Sequence, residues 1–409
     1  MANSITKTKF QEIKEKTEKF IVGNYSRHEI SFEYGVGEYL FDSEGKQYLD
    51  FQSGIAVTNL GHSEADIIAA LQEQADKLFH TSNLFYSKEQ AELAETLIAH
   101  SFPGKVFFCN SGTEANEAAF KLARKHSVKK GISNPIILAL KGSFHGRSTG
   151  AMSMTGQEKV RQGFGDLVSG FHFIQENDIE DLEKAFSKHS GHIAGMIVEP
   201  ILGEFGVLPI REEFLKRARE LTASEGAPLI FDEIQTGMGR TGKLFCFQHY
   251  SFTPDIMTLA KGLGSGFPMG AVIIGEKFSN VLEPGSHGTT FGGNHLAAKI
   301  GYETIRVLKT RDILNNVPAL SEFFFKRLKM LQLKFPETIR EVRGIGLHIG
   351  VELTIPVKSI IKKCLENGLI LNGTNEKVIR ILPPLNIGIE RIDEAVSIIE
   401  KVFEGENLK

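Results

Sequence analysis

Tryptophan is absent from the 409 residues, and only three cysteines occur, Cys109, Cys246 and Cys364. They are odd in number, far apart and form no CxxC pair, which excludes a disulfide framework and a zinc site built on thiolates. No apolar run approaches the roughly 20 residues that cross a bilayer, and the N-terminus, MANSITKTKFQEIKEKTEKF, lacks the apolar stretch of a signal peptide. Neither sign of charge is in excess: 47 Lys plus Arg against 50 Asp plus Glu leave a net −3. The chain therefore has no broad basic footprint for nucleic acid or anionic lipid. A cytoplasmic protein with reduced thiols, and with no nucleic-acid or membrane partner, is expected.

Glycine, by contrast, is plentiful. The 41 glycines are about 10% of the chain against a usual roughly 7%, and they cluster just after apolar runs, as in ligand-binding turns. Phe10 to Ile21, rich in Lys and Glu, reads as a solvated helix or arm. Tyr39 to Phe51 alternates apolar and polar residues around Asp42-Ser43-Glu44-Gly45, which predicts a hairpin. From about residue 66, helical periods alternate with seven short apolar runs: 106–109, 136–140, 171–174, 195–200, 229–234, 256–260 and 270–275. Near-continuous apolar runs predict strands covered on both faces, hence an α/β domain around a mostly parallel seven-stranded sheet. After about residue 310 the pattern becomes α+β: a helix over 320–333, a strand over 346–353, a helix over 360–367 and a last helix. That last helix carries Ile392, Ala395, Val396, Ile399 and Phe403 on one face. The expected division is an N-terminal arm and part of a small domain at 1–65, a large domain at 66–309, and the rest of the small domain at 310–409.

In doubly wound sheets, ligands bind beyond the carboxyl ends of the strands. The polar residues that follow the runs are Asn110-Ser111-Gly112-Thr113-Glu114, Glu199-Pro200, Asp232-Glu233 and Lys261-Gly262. Ser111-Gly112-Thr113 opens a helical period, so hydroxyls and free N–H groups face the strand end together. That is either a phosphate cradle or an ordinary N-cap. Asp232 and Lys261 at neighbouring strand ends need a partner or a task. They form a simple ion pair, or they are a Schiff-base lysine and a carboxylate that keeps a pyridinium nitrogen protonated, the pairing pyridoxal phosphate requires. Gly237-Met-Gly-Arg-Thr-Gly-Lys243 satisfies both GxGxxG and GxxxxGK. Leu244 stands where a Walker loop needs Ser or Thr, and no helical pattern follows, so nucleotide binding is not expected there. His62, His80, His145 and His287 show no HxxxH spacing, and no metal is assigned.

Six runs together resemble the class III, fold-type I aminotransferases: Asn110 to Glu117, Phe144 to Arg147, Glu199 to Glu204, Asp232 to Lys243, Leu259 to Gly262 and His287 to Asn294. They occur in the family's order and span nearly the whole chain. The resemblance implies pyridoxal 5′-phosphate as cofactor and a homodimer with shared active sites. It makes Lys261 the Schiff-base lysine that also moves protons, sets Asp232 at the pyridine nitrogen and Gln235 at the ring hydroxyl, and stacks Phe144 on the ring. Gly112 and Thr113, with Ser111 alongside, and Thr290 of the other subunit would hold the phosphate.

For substrates, the resemblance makes Arg147 the fork for a carboxylate and Arg380 the site of glutamate's α-carboxylate, masked by Glu204 when the amine donor has no carboxylate there. Ile55 stands where members acting on free ornithine carry a tyrosine, and an apolar residue suits an acylated amine. The implied reaction moves an amino group from N2-acetylornithine to 2-oxoglutarate, as in arginine biosynthesis, with ornithine, 4-aminobutyrate or succinylornithine as alternative donors. The chain departs from the family pattern at His295, where proline is usual, and at Ser63-Glu64-Ala65, where Cys-His-Pro is usual; both departures bear on substrate detail.

Overall fold

The computed structural model describes residues 7–406. The outermost parts of the expected arm and C-terminal unit, 1–6 and 407–409, lie outside the described residues. All seven apolar runs form strands of one sheet: β1 Gly104–Cys109, β2 Ile136–Leu140, β3 Phe171–Ile174, β4 Ile193–Val198, β5 Leu229–Asp232, β6 Ile256–Leu259 and β7 Gly270–Gly275. Their spatial order is β1-β7-β6-β5-β4-β2-β3. Only β7 runs against the rest, while β6, β5, β4, β2 and β3 pair in parallel. Alternate residues of each strand enter different cores. Leu138, Met196, Phe231 and Met257 face one, and Ile137, Ile197, Ile230 and Ile256 face the other. Both faces are thus buried, which is why the runs are apolar throughout instead of alternating. Helix Gly112–Lys129 covers the second face with Ala115, Ala118, Ala119 and Ala123, small enough for close approach to the strands.

This topology gathers the candidate residues. The carboxyl ends of β1, β2, β4, β5 and β6 share one edge of the sheet, and the reversed β7 brings the residues before Gly270 to the same edge. Among the described residues, no helix is long and apolar enough to cross a membrane.

The two ends of the chain meet. Strands Tyr39–Asp42 and Gln47–Asp50 form the expected hairpin, and Gln47–Asp50 pairs in parallel with Leu369–Ile370. A second sheet, wholly antiparallel, has the order Ile339–Ile345, His348–Leu353, Val378–Ile381, Asn372–Thr374. Sequence periodicity found only one of these four strands, because the others are short or carry Arg and Glu on an exposed face. It also began a helix at residue 320, whereas the helix runs Ile313–Lys334 with Pro318 inside it. A proline near the start of a helix forfeits one backbone bond, and the buried Ile313 and Val317 hold the first turns. Helix Lys9–Phe20 buries no residue in the single chain and opens with a Thr8–Gln11 capping box.

Arg240 of the Gly237–Lys243 run ties these parts together. It is fully buried and donates to Leu347 O at 3.1 Å, Pro383 O at 2.6 Å and Asn59 Oδ1 at 2.7 Å. Only the short 3-10 helix Cys246–His249 follows the run, with no α-helix opening at its end, and a Cβ on Gly239 would strike Leu385 and Leu314. These residues form a packed hub, with no room for a nucleotide phosphate.

Gly104 sits opposite Gly275 in the β1–β7 ladder, and a Cβ there would lie 2.1 Å from Ile274 O. Gly104→Ala should lower the unfolding free energy by about 2 kcal/mol or more, read from urea midpoints. Gly23→Ala, with nothing within 4 Å of its Cβ, is the control expected to change little.

Candidate active site

Beyond the shared strand edge lies a cavity of about 480 Å³. Ser111, Gly112, Thr113, Phe144, Arg147, Glu204, Asp232, Gln235 and Lys261, all singled out from sequence, line it. Arg380, Ile55 and Thr290 do not line the cavity of the single chain, although Arg380 bonds to Glu204 and Gln235, which do.

At one side, Ser111 caps helix Gly112–Lys129, its Oγ accepting from Glu114 N at 3.3 Å. The capping role is therefore real, and it leaves the Gly112 and Thr113 N–H groups without intrahelical acceptors at the positive end of the helix. The Thr113 hydroxyl is engaged elsewhere: its oxygen accepts from Arg147 N at 3.2 Å and Ser148 N at 3.3 Å, and pairs with Ser148 Oγ at 3.0 Å. Gly146 makes that contact possible, since at φ 136° a Cβ would fall 2.2 Å from Thr113 Oγ1.

Asp232, at the end of β5, is not paired with Lys261. Its Oδ2 meets His145 Nδ1 at 2.8 Å and accepts from Asn116 Nδ2 at 2.7 Å, while Oδ1 accepts from Ile234 N at 3.1 Å. Asn116 is itself fixed, since Thr258 Oγ1 donates to its Oδ1 at 2.8 Å. Lys261 follows β6 with φ 44°, and its Nζ makes no ion pair or hydrogen bond among the described residues. Burial lowers its pKa, Arg380 pushing the same way and Glu204 opposing. The cavity wall therefore holds an amine that is biased towards its neutral, nucleophilic form.

Glu204 and Arg380 form an ion pair. Arg380 is 1% exposed, and its Nη1 also reaches Gln235 Oε1 at 3.3 Å. Burial works against the charge on Glu204, but Arg380 and Lys261 more than offset it and hold its pKa down. The Arg147 side chain is exposed and lies with its guanidinium 5.5 Å from the Phe144 ring centroid. A cation at this rim is free to meet an anionic substrate group.

Thr290 and Ile55 occupy distinctive loops. Thr290 is exposed beside the exposed Phe291, and the neighbouring segment turns Leu84, Phe85 and Tyr86 outwards. Asn83 Nδ2 ties that segment to Thr289 O and Gly292 O. Ile55 belongs to a left-handed turn in which Ser53, Gly54, Ile55 and Ala56 all have positive φ. Its neighbour Val57 reaches the cavity. The four histidines have separate neighbours: Asp50 for His62, the Phe291 ring for His80, Asp232 for His145 and Lys121 for His287. His295 bonds Glu89 and Thr81, so at this departure from the family pattern it holds a loop in place.

Sequence reasoning missed Asn116, the role of Glu199, and Asn372, whose Oδ1 accepts from Arg380 Nη2 at 2.6 Å. The signal for Asn116 was a polar residue on an otherwise alanine-rich helix face. Glu199 is buried and accepts from Phe144 N at 2.8 Å and Gly203 N at 3.2 Å, so one carboxylate fixes both the aromatic at the cavity and the turn that carries Glu204. Burial pushes its pKa up to about 7, with His145 opposing and Asp232 reinforcing.

A carboxyl raised in the folded state keeps a proton that the unfolded chain has already released. Its contribution to stability is complete below the ordinary value of 4.5 and is lost as the pH rises through about 7. Glu199→Gln cannot ionise, and its amide faces one N–H with another. The gap in urea midpoint between wild type and variant should be wider at pH 5 than at pH 8, and a constant gap would contradict this account.

Comparison with known proteins agrees with the geometry. The family described as "Aminotransferase class-III" matches residues 22–403. The acetylornithine aminotransferase of Aquifex aeolicus is 44% identical over 385 residues, covering 94% of this chain and 100% of the relative. That of Clostridium acetobutylicum is 42% identical over 387 residues, covering 94% and 99%. Among solved structures, the ornithine aminotransferase of Toxoplasma gondii ME49 superposes with a TM-score of 0.94 at 33% identity, covering 98% of this chain and 96% of that one. The acetylornithine aminotransferase of Elizabethkingia anophelis gives 0.87 at 35%, covering 98% and 100%. With the seven-stranded sheet and the strand-end cavity already in view, the chain belongs to the class III aminotransferases and has their fold-type I architecture.

Proposed function

We propose that this aminotransferase uses pyridoxal 5′-phosphate to move the terminal amino group of N2-acetylornithine to 2-oxoglutarate, giving N-acetylglutamate 5-semialdehyde and glutamate for arginine biosynthesis. The observation that carries the reading is the unpaired Lys261 amine in a cavity that also offers Asp232 and a helix N-terminus. The names of the relatives at 42% and 44% identity support the donor. Similarity of fold does not separate donors, because structures of both ornithine and acetylornithine enzymes superpose closely.

The residues fit the cofactor. Ser111 and the N–H groups of Gly112 and Thr113 suit its phosphate, Phe144 its ring face and Asp232 its ring nitrogen. Since a guanidinium only donates, Gln235 turns Oε1 to Arg380 and keeps Nε2 to donate to the ring hydroxyl. When bound, the cofactor supplies the electron sink for the carbanion left when a substrate C–H bond breaks. His145 and Asn116 keep the Asp232 carboxylate oriented for a protonated ring nitrogen. Lys261 Nζ would take the proton from the carbon that bears the transferred amine and pass it, within the same half-reaction, to the cofactor carbon that keeps the nitrogen, and would carry a proton the opposite way for 2-oxoglutarate.

The same cavity serves two substrates in turn. N2-acetylornithine has no carboxylate beside its reacting amine, so Glu204 stays on Arg380 while Arg147 takes the distant carboxylate. Glutamate and 2-oxoglutarate bring a carboxylate beside the reacting carbon, and Glu204 yields Arg380 to it. The apolar Ile55 suits the acylated end of the donor. A homodimer in which Thr290 reaches the partner's phosphate site is supported by the exposed Phe85, Tyr86 and Phe291 around it. The pairing of Gln47–Asp50 with Leu369–Ile370 supports residues 1–65 and 310–409 acting as one small domain against 66–309. Three free, buried cysteines suit the cytoplasm.

Purified protein given pyridoxal phosphate should gain an absorbance band near the visible edge. N2-acetylornithine should discharge this band at lower concentration than ornithine, 4-aminobutyrate or succinylornithine. No band at all would overturn the cofactor assignment, and a better rival donor would overturn the donor. Lys261→Ala should abolish the band and lower turnover at least about a hundredfold. Asp232→Asn should lower kcat far more than it raises KM, since its task is in the chemical step.

A further inference from the structure

Arg380 has two distinct sets of partners. On its Nη1 side stands Glu204, whose side chain is 32% exposed. On the opposite edge, Asn372 Oδ1 accepts from both Nε, at 3.2 Å, and Nη2, at 2.6 Å. The amide's orientation is fixed by chemistry, because only its oxygen can accept from a guanidinium. Asn372 is directly opposite Arg380 in an antiparallel pair, so the two side chains share a face. On the other flank Arg380 pairs with Gly350, which offers no side chain to compete. Two residues along the same short strand, Thr374 Oγ1 donates to the backbone carbonyl of Glu204. Arg343 clamps the same turn through Gly206 O, at 3.0 and 2.7 Å.

We propose that strand Asn372–Thr374 is the frame of the substrate switch and that Asn372 is its positioning residue, a reading that rests on the proposed two-substrate use of Arg380. Thr374 fixes the main chain of Glu204, and Asn372 fixes the Nε–Nη2 edge of the guanidinium. The only part left to move is the Glu204 side chain, which already has access to solvent. When it swings away, Arg380 stays in place with Nη1 exposed, ready for the carboxylate beside the reacting carbon of glutamate or 2-oxoglutarate. Without Asn372, the guanidinium follows the only carboxylate it has and closes more tightly on Glu204. The dicarboxylate then loses its site, whereas a donor that never uses Arg380 is affected far less.

The test compares wild type with Asn372→Ala and the isosteric Asn372→Asp. Single-turnover spectra read each half-reaction separately, and calorimetry reads glutarate binding to cofactor-free protein. Both variants should weaken glutarate, and raise the half-saturating concentration of glutamate, by roughly tenfold or more, the loss expected for a hydrogen bond to a charged group. The change for N2-acetylornithine should be at least several times smaller. Asn372→Asp keeps the shape but adds a second negative charge beside Arg380, so it should weaken dicarboxylates at least as much as the alanine variant. Dicarboxylate affinity within twofold of wild type in both variants would overturn the proposal, as would equal impairment of the two half-reactions. If wild type itself rejects N2-acetylornithine, the donor reading fails, while the glutarate and glutamate measurements still decide the role of Asn372.

Discussion

The site depends on where the charge of Asp232 is satisfied. A carboxylate and a lysine at adjacent strand ends attract each other strongly in a low-dielectric setting, and a direct ion pair would silence both. Here His145 and Asn116 take the carboxylate first, with Thr258 locking Asn116 from the next strand. Lys261 is left without a partner among the described residues, and burial then depresses its proton affinity. An available amine is thus a consequence of the hydrogen bonds that Asp232 receives at the end of the neighbouring strand.

The same economy of partners extends outward. Glu199 binds the backbone of Phe144 on one side and of Gly203 on the other, which joins the aromatic wall to the turn that carries Glu204. Glu204 neutralises Arg380, and Arg380 gives its other edge to Asn372. Charges that would be costly if isolated are held in a chain from β5 to the C-terminal sheet, so the cavity's electrostatics are shared between the two ends of the sequence.

Much of this was legible from sequence, and for identifiable reasons. The seven buried strands show as apolar runs because both their faces are covered, and the polar residues after them must lie on one edge because the strands are mostly parallel. Arg380 and Glu204, 176 positions apart, were linked only through family resemblance, since periodicity carries no information about such a distance. Asn372 left no signal of any kind: it lies in a three-residue strand, too short for alternation to register, and asparagine there reads as a turn residue. Arg240 shows the opposite failure. Its glycine-rich surroundings imitate a phosphate loop, but the glycines serve close packing against Leu385 and Leu314.

Strain and buried charge also occupy the same seam. A left-handed turn costs roughly 1–2 kcal/mol for each non-glycine residue in it, and Ser53, Ile55 and Ala56 all adopt that conformation. Asp50 holds the turn by accepting from Gln52 N and Ser53 N, each at 2.9 Å, while its other oxygen meets His62 at 2.8 Å. The turn delivers Val57 to the cavity and Asn59 to Arg240 Nη2, while Arg240 Nη1 donates to Leu347 O and Pro383 O. Relaxing the turn to right-handed geometry would redirect Val57 and withdraw Asn59 from a fully buried guanidinium. The strain is therefore retained because the alternative leaves a buried cation short of acceptors. The N-terminal segment, the central sheet and the C-terminal strands are bound through that one side chain.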